Sequence, residues 1–454
     1  MNEISREKGT DTTVSAPPPA KFNVAAFARR HPWETIGWFL LVVALCVGSV
    51  MSVLRAYHDK GGTDFPEFHA AGRYILEHHD RDPKSILYNY LPSIDAPFAL
   101  LAWLPMPVAA AVYYVINVGF LFGLMRALYR HVLTDIEPTL RRQAALGAIL
   151  SVLPLALDGM VLGAFHLAMV WLLVEGLGRI AEGRSTSGGI ILGTAVWVKL
   201  LPVVAVAYLI WKRRFAPAVI AVVTVIVIDL ALSLIAFGPA GTIDTHREWW
   251  TQHASATTRR QLTEPGLIDE DRLTNQSLPI VLRRFLTDFG HTPGNPRNLL
   301  TIAHLTGRQL TWIYRGWIVI MMISLAWYFR HPYGKMPPER AKGEIGLVAL
   351  ATVWISPVVW GYHPTAAAPA LAWIGARRDR FPLFVWPAFV VWFAGMAGHA
   401  SKVTAAAGSV LWASFVVGLI LGRLVHCETR THDADSVDRE TPATDARQAT
   451  AFDP

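Results

Sequence analysis

The side chains equipped for chemistry lie far apart in this 454-residue chain. The stretch Thr63 to Leu91, TDFPEFHAAGRYILEHHDRDPKSILYNYL, opens on Asp64, with Glu67 and His69 close behind and Tyr90 near its end. Asp158 and His166 follow, then Lys199 deep within an apolar run. Asn275 and Gln276 begin NQSLPIVLRR, which ends on Arg283 and Arg284, and WISPVVWGYHP carries Trp360 and His363. A carboxylate, a basic cluster and an imidazole facing one pocket would suit abstraction of a proton beside a bound phosphate.

Each of these residues also has a plainer use. In D-F-P-E, Asp64 is a favourable helix N-cap, with Pro66 early in the helix and Glu67 at the capping-box position. The two roles are compatible, since one carboxylate oxygen can cap while the other accepts a proton. His363 stands beside Trp360 and Tyr362, residue types common at the headgroup level. Lys199 either snorkels or has a buried partner, and Arg283 and Arg284 are headgroup anchors or ligands. Asp229 and Glu175 fall inside apolar runs and require partners. No Gly-rich phosphate loop, His/Cys metal spacing or serine elbow occurs, so a soluble nucleotide-sugar fold is unsupported and no cofactor or metal is expected.

Composition says what must hold these groups. Hydrophobic residues make up 53% of the chain and charged ones 17%, against about a quarter charged in soluble domains. Several apolar runs reach the roughly 20 residues that a helix needs to cross a bilayer. The net charge of +7 sits in short clusters between apolar runs, with no interleaved aromatic platform, which excludes a nucleic-acid groove. Cys46 and Cys427 lie at opposite ends of the apolar region, too remote to suggest a disulfide.

The basic clusters set the expected sidedness. A first span at about Trp33 to Ala56 follows Lys21, Arg29 and Arg30, which puts the N-terminus in the cytoplasm and the Asp64 loop outside. That loop has the near-helical spacing of an amphipathic surface helix. Pro92 to Pro107 is too short and proline-rich to span, so it dips in or lies flat. Spans follow at 108–129, 144–157 and 162–180, and 188–210 reads as a tight hairpin with Lys199 near its outer tip; a single kinked helix is the competitor. Phe215 to Phe237 comes out, a long polar segment holds a surface helix at 278–285, and spans at 309–328, 345–360, 366–376, 383–398 and 403–424 complete the chain. The expected fold is all-α and polytopic, with about twelve crossings and both termini inside. Residues 1–32 and 425–454 are expected to be disordered cytoplasmic tails around one domain at 33–424.

Five segments in this order resemble glycosyltransferase family 87, whose members have the GT-C fold and depend on polyprenol-phosphate sugars. They are TDFPEFHAAGRYIL, YLPSIDAPFALLAWLP (similar to the family's Tyr-Pro-Pro segment), GGIILGTAVWVKLLPVVAVAYLIWKRR, NQSLPIVLRR and SPVVWGYHP. The chain departs from the family pattern at three places. It reads GAFH at Gly163 to His166 where Gly-Gln-x-Asn is frequent, Tyr362–His363 where His-His is usual, and Leu91 at the first proline of Tyr-Pro-Pro. These departures bear on sugar and acceptor more than on class.

The resemblance implies a sugar carried on polyprenyl phosphate at the outer leaflet of the plasma or inner membrane. It implies Asp64 as general base for an acceptor hydroxyl, with inversion at the anomeric carbon. Lys199, Arg283 and His363 would face the donor phosphate or the acceptor, and Arg284, Glu67, His69, Tyr90, Asn275, Gln276 and Trp360 would complete the substrate site. The expected partners are the lipid-linked donor, a glycolipid or glycan acceptor and the bilayer. Mannose leads, with a pentofuranosyl donor such as arabinofuranose as the near alternative. A secondary transporter is the alternative from another class, disfavoured because the two halves do not match and the long loops lie on one side.

Overall fold

The computed structural model describes residues 29–58, 64–82, 90–254, 273–287, 300–333 and 336–440. Most of the expected N-terminal tail and residues 441–454 of the C-terminal one lie outside these residues. The apolar runs form helices because a chain in lipid must satisfy its backbone internally. In order they are α1 (Pro32–His58), α2 (Asp64–His78), α3 (Phe98–Leu101), α4 (Met106–Ala127), α5 (Pro138–Leu162) and α6 (His166–Ala181). Then come α7 (Ser185–Val198), α8 (Val203–Trp211), α9 (Phe215–Glu248), α10 (Leu278–Leu286) and α11 (Gly307–Tyr328). The last are α12 (Pro338–Ile355), α13 (Ala368–Gly375), α14 (Pro382–His399), α15 (Lys402–Ala406) and α16 (Ser409–Glu440).

Among the described residues, seven helices are long and apolar enough to cross a membrane: α1, α4, α5, α9, α11, α14 and α16. The other expected crossings fall on α6, α7, α8, α12 and α13, which are shorter or more polar. Several of the seven present bare apolar faces, such as Phe39 and Val47 on α1, Val223 and Val227 on α9, and Ile320 and Ile323 on α11. By contrast α12 and α13 are buried nearly all round, as helices at the centre of a bundle must be.

The bundle has two chemically different ends. At one, the basic clusters gather and are paired: Lys212 Nζ lies 2.7 Å from Glu344, Arg340 3.1 Å from Glu344, and Arg377 2.8 Å from Asp135 and 2.6 Å from Glu428. His131 bridges Glu175 at 3.1 Å and Glu182 at 2.7 Å, which gives Glu175 its partner. At the same end Arg214 Nη2 reaches Ser185 Oγ at 3.3 Å and the Ile180 carbonyl at 3.4 Å. The chain therefore reverses between α7 and α8, and Lys199 stands at the turn, toward the opposite end.

Three sequence expectations need correction. The helix at 278–285 exists as α10, but Leu278, Ile280, Val281, Arg283 and Arg284 are all buried, so it does not lie on the surface. The expected span at 366–376 is a 3₁₀ turn, His363–Ala367, followed by the 8-residue α13. The last helix runs through Glu440, beyond the boundary expected at 424, and Arg377 and Arg380 both reach Glu428 on it. The span expected at 215–237 ends where the sequence placed it, since α9 is interrupted at Gly238 (φ 68°, ψ 179°). Asp229 and His246 are 17 residues apart, a distance of about 25 Å along a straight helix. They nevertheless approach to 2.8 Å, so the chain folds back at Gly238.

Candidate active site

Asp64 is the first residue of α2, at the end of the bundle opposite the basic clusters. An aromatic cluster seats that first turn. Phe68 stacks on Phe98 with centroids 4.5 Å apart, Phe65 stacks on Tyr113 at 5.3 Å, and Phe165 packs edge-on against Phe68 at 5.0 Å. The turn after α5 presses on the same spot. Gly163 has φ +83° and closes α5 as a left-handed C-cap, and a Cβ there would collide with Phe65. Glycine answers both needs, so the start of α6 is held directly against the start of α2.

A polar network sets the next wall. Ser93, in the 3₁₀ turn Pro92–Asp95, donates from Oγ to Asp229 Oδ1 at 2.6 Å and accepts from the Trp197 indole at 2.8 Å. Asp229 Oδ2 meets His246 Nε2 at 2.8 Å, and His246 Nδ1 meets the Thr242 carbonyl at 2.8 Å. Each ring nitrogen of His246 thus faces an oxygen, which fixes the ring between Asp229 and its own helix. This network ties the segment carrying Tyr90 to the helix whose end carries Lys199. Lys199 Nζ then lies 3.4 Å from Tyr90 Oη and 2.7 Å from His363 Nε2. The last distance is that of a direct hydrogen bond between the two nitrogens.

The third wall is the 356–367 segment. Gln276 donates its backbone N–H to the Val359 carbonyl at 2.6 Å and its side-chain amide to the Leu273 and Ala405 carbonyls at 2.9 and 2.8 Å. Asn275 Oδ1 accepts from the Ser277 N–H at 3.1 Å. So supported, Trp360 donates its backbone N–H to His363 Nδ1 at 3.1 Å. Tyr362 donates its hydroxyl to Asp64 Oδ2 at 2.9 Å, and its ring faces Lys199 Nζ at 5.7 Å. Asp64, Tyr362, Tyr90, Lys199 and His363 thus form one polar patch, with Asp64 acting electrostatically on Lys199.

Some expected residues stand elsewhere. His69 is turned away and bonds the Leu104 carbonyl at 3.0 Å, a structural tie. Glu67 is half-buried one turn beyond Asp64. Asn275 and Gln276 brace the 359 segment as described, and Trp360 contributes its backbone. Arg284 reaches the Ala406 carbonyl at 3.1 Å and acts on His399, and Arg283 is buried beside it on α10; neither joins the Lys199–His363 pair. Asp158, exposed on α5, has Arg55, His399 and Asp64 as its charged neighbours. Tyr362, Ser93, Trp197 and His246 were missed by sequence reasoning. For Tyr362 the one available signal was its place beside His363.

A family model described as glycosyltransferase family 87 matches residues 88–357. The chain belongs to that family. Membership of family 87 makes the chain a glycosyltransferase; of the patch described above, Tyr90 and Lys199 lie within the matched residues. The chain is similar to a polyprenol-phosphate-mannose-dependent alpha-(1-2)-phosphatidylinositol pentamannoside mannosyltransferase of Mycobacterium tuberculosis, 24% identical over 83% of this chain and 80% of that one. It is also similar to a polyprenol-phosphate-mannose-dependent alpha-(1-2)-phosphatidylinositol mannoside mannosyltransferase of Mycolicibacterium smegmatis, 22% identical over 84% of this chain and 81% of that one. No solved structure matches.

Proposed function

We propose that this family 87 enzyme moves a hexose, mannose foremost, from a polyprenyl-phosphate donor to an acceptor hydroxyl on a glycolipid or glycan. The observation that carries this reading is the meeting of Asp64 with Tyr362, and of Lys199 with His363, on one patch at the less basic end of the bundle. Asp64 takes the acceptor proton as the hydroxyl oxygen attacks the anomeric carbon. The bond from that carbon to the phosphate oxygen breaks, its electron pair stays with the phosphate, and the sugar inverts. Lys199 and His363 stabilise the charge that develops on the leaving group. Tyr362 holds one carboxylate oxygen and so fixes the orientation of the base. The same reading has about twelve crossings, cytoplasmic termini and an extracytoplasmic site. The relatives' names support mannose as donor sugar and a phosphatidylinositol mannoside as the acceptor to try first.

The test is transfer by purified protein in nanodiscs, with polyprenyl-phosphate mannose and polyprenyl-phosphate arabinofuranose offered in parallel. Mannose should be transferred, and Asp64→Asn should lower kcat by about 10²–10⁴-fold, the usual worth of a positioned general base. Transfer at an unchanged rate by Asp64→Asn would remove the base from this account. Transfer of arabinofuranose alone would remove the sugar.

A further inference from the structure

The start of α6 lies inside the site, yet the mechanism above gives it no task. Phe165 is its N-cap, and no side chain caps it. The first intrahelical bond runs from the Met169 N–H to the Phe165 carbonyl at 3.1 Å. Among the described residues, the N–H groups of His166, Leu167 and Ala168 have no acceptor. All three residues are buried, which removes water as the easy substitute. A helix start of this kind carries roughly half a positive charge and takes an anion readily.

A second observation points the same way. His166 is wholly buried, and by strict geometry neither ring nitrogen makes a hydrogen bond among the described residues, the Ala164 backbone offering only a weak contact. A buried polar group left unpaired costs on the order of 1–3 kcal/mol. The ring is held by shape instead. Gly159 makes room for it, since a Cβ there would collide with the imidazole, and the Tyr362 ring covers it with centroids 5.0 Å apart. Lys199 acts on it electrostatically, so the imidazole and the ammonium belong to the same patch. Three main-chain donors, an imidazole and the nearby Lys199 side chain gather at one place, a set suited to an oxyanion more than to a neutral sugar hydroxyl.

We propose that the start of α6, through the His166 imidazole and the N–H groups of His166, Leu167 and Ala168, binds the phosphate of the lipid-linked donor beside Lys199. This rests on the reading that the donor is a polyprenyl-phosphate sugar. When the glycosyl bond breaks, the leaving phosphate gains charge, and donors already fixed in place there favour the departure without reorganisation.

The probe is polyprenyl monophosphate, with the uncharged polyprenol as control, added to the full-length protein in nanodiscs and read by native mass spectrometry. His166→Phe keeps a ring against Tyr362 but deletes both nitrogens, and His166→Gln restores a polar group without the ring. His166→Phe should weaken monophosphate binding about tenfold, the loss of one hydrogen bond to a charged group. Polyprenol binding should stay unchanged, the donor KM should rise while the acceptor KM stays put, and His166→Gln should recover part of the loss. Wild-type monophosphate affinity in His166→Phe, or a rise confined to the acceptor KM, would overturn the proposal. Should His166→Phe fail to fold, a ¹⁵N-histidine spectrum of the wild type decides. The resonance absent from His166→Gln must move on adding monophosphate, and an unmoved resonance refutes the subsite. Wild-type protein that ignores monophosphate altogether would defeat the donor assignment itself, a different result from the preceding ones.

Discussion

At the scale of single residues, the least expected contact is the Tyr362 hydroxyl on Asp64 at 2.9 Å. A hydrogen bond to a charged group is worth about 1.5–3 kcal/mol. Tyr362→Phe keeps the ring against His166 and removes the bond, so kcat should fall by about 10–100-fold with the protein still folded. An unchanged kcat in a steady-state assay would show that Asp64 needs no such orientation. Asp64, Lys199 and His363 were legible in the sequence because ionisable groups beside or within apolar runs must find partners. Tyr362 was not, because a tyrosine next to Trp360 reads as a headgroup anchor. His69 shows the opposite error. Five residues along a helix turn the side chain by about 140° from Asp64, so closeness in sequence put it on another face, where it meets Leu104.

At the scale of elements, helices were readable from apolar runs, but their joints were not. Ser93 and Asp229 are 136 residues apart, and nothing local to either announces the bond between them. Nor does an apolar run disclose that α9 folds back at Gly238. The 3₁₀ turn that carries Ser93 offers a pH test through Asp95. Burial pushes the Asp95 carboxyl up from 3.8 to about 6, and the Arg81 guanidinium, 3.3 Å away, pulls it the other way. The sign follows from linkage. Below pH 3.8 the carboxyl is neutral in both folded and unfolded chains and its contribution to stability is complete. As pH rises through about 6 the fold must hold a buried charge, and roughly 3 kcal/mol of that contribution is lost. Asp95→Asn should therefore raise the unfolding midpoint at pH 8 and leave it unchanged at pH 4. An equal effect at both, by thermal unfolding in detergent, would mean that the carboxyl does not titrate as described.

At the scale of the whole molecule, one end of the bundle is tied by charge and the other holds the patch around Asp64. Lys212, Arg340 and Arg377 all close on carboxylates at the first end, where their basic sequence clusters placed them together. That grouping was legible because topology demands it of loop ends. The number of crossings was less so: hydropathy marks α1 and α9 clearly, whereas buried α12 and α13 are defined by neighbours rather than by lipid. Everything in the proposed reaction needs the less basic end to hold donor phosphate and acceptor hydroxyl at once. The direct measurement is a cryo-EM structure in nanodiscs with a non-transferable polyprenyl-phosphate sugar. The account predicts the phosphate within hydrogen-bond reach, about 3 Å, of Lys199 Nζ, with the anomeric carbon facing Asp64. A phosphate bound at the Arg377 end, or one out of reach of both Lys199 and Asp64, would contradict it.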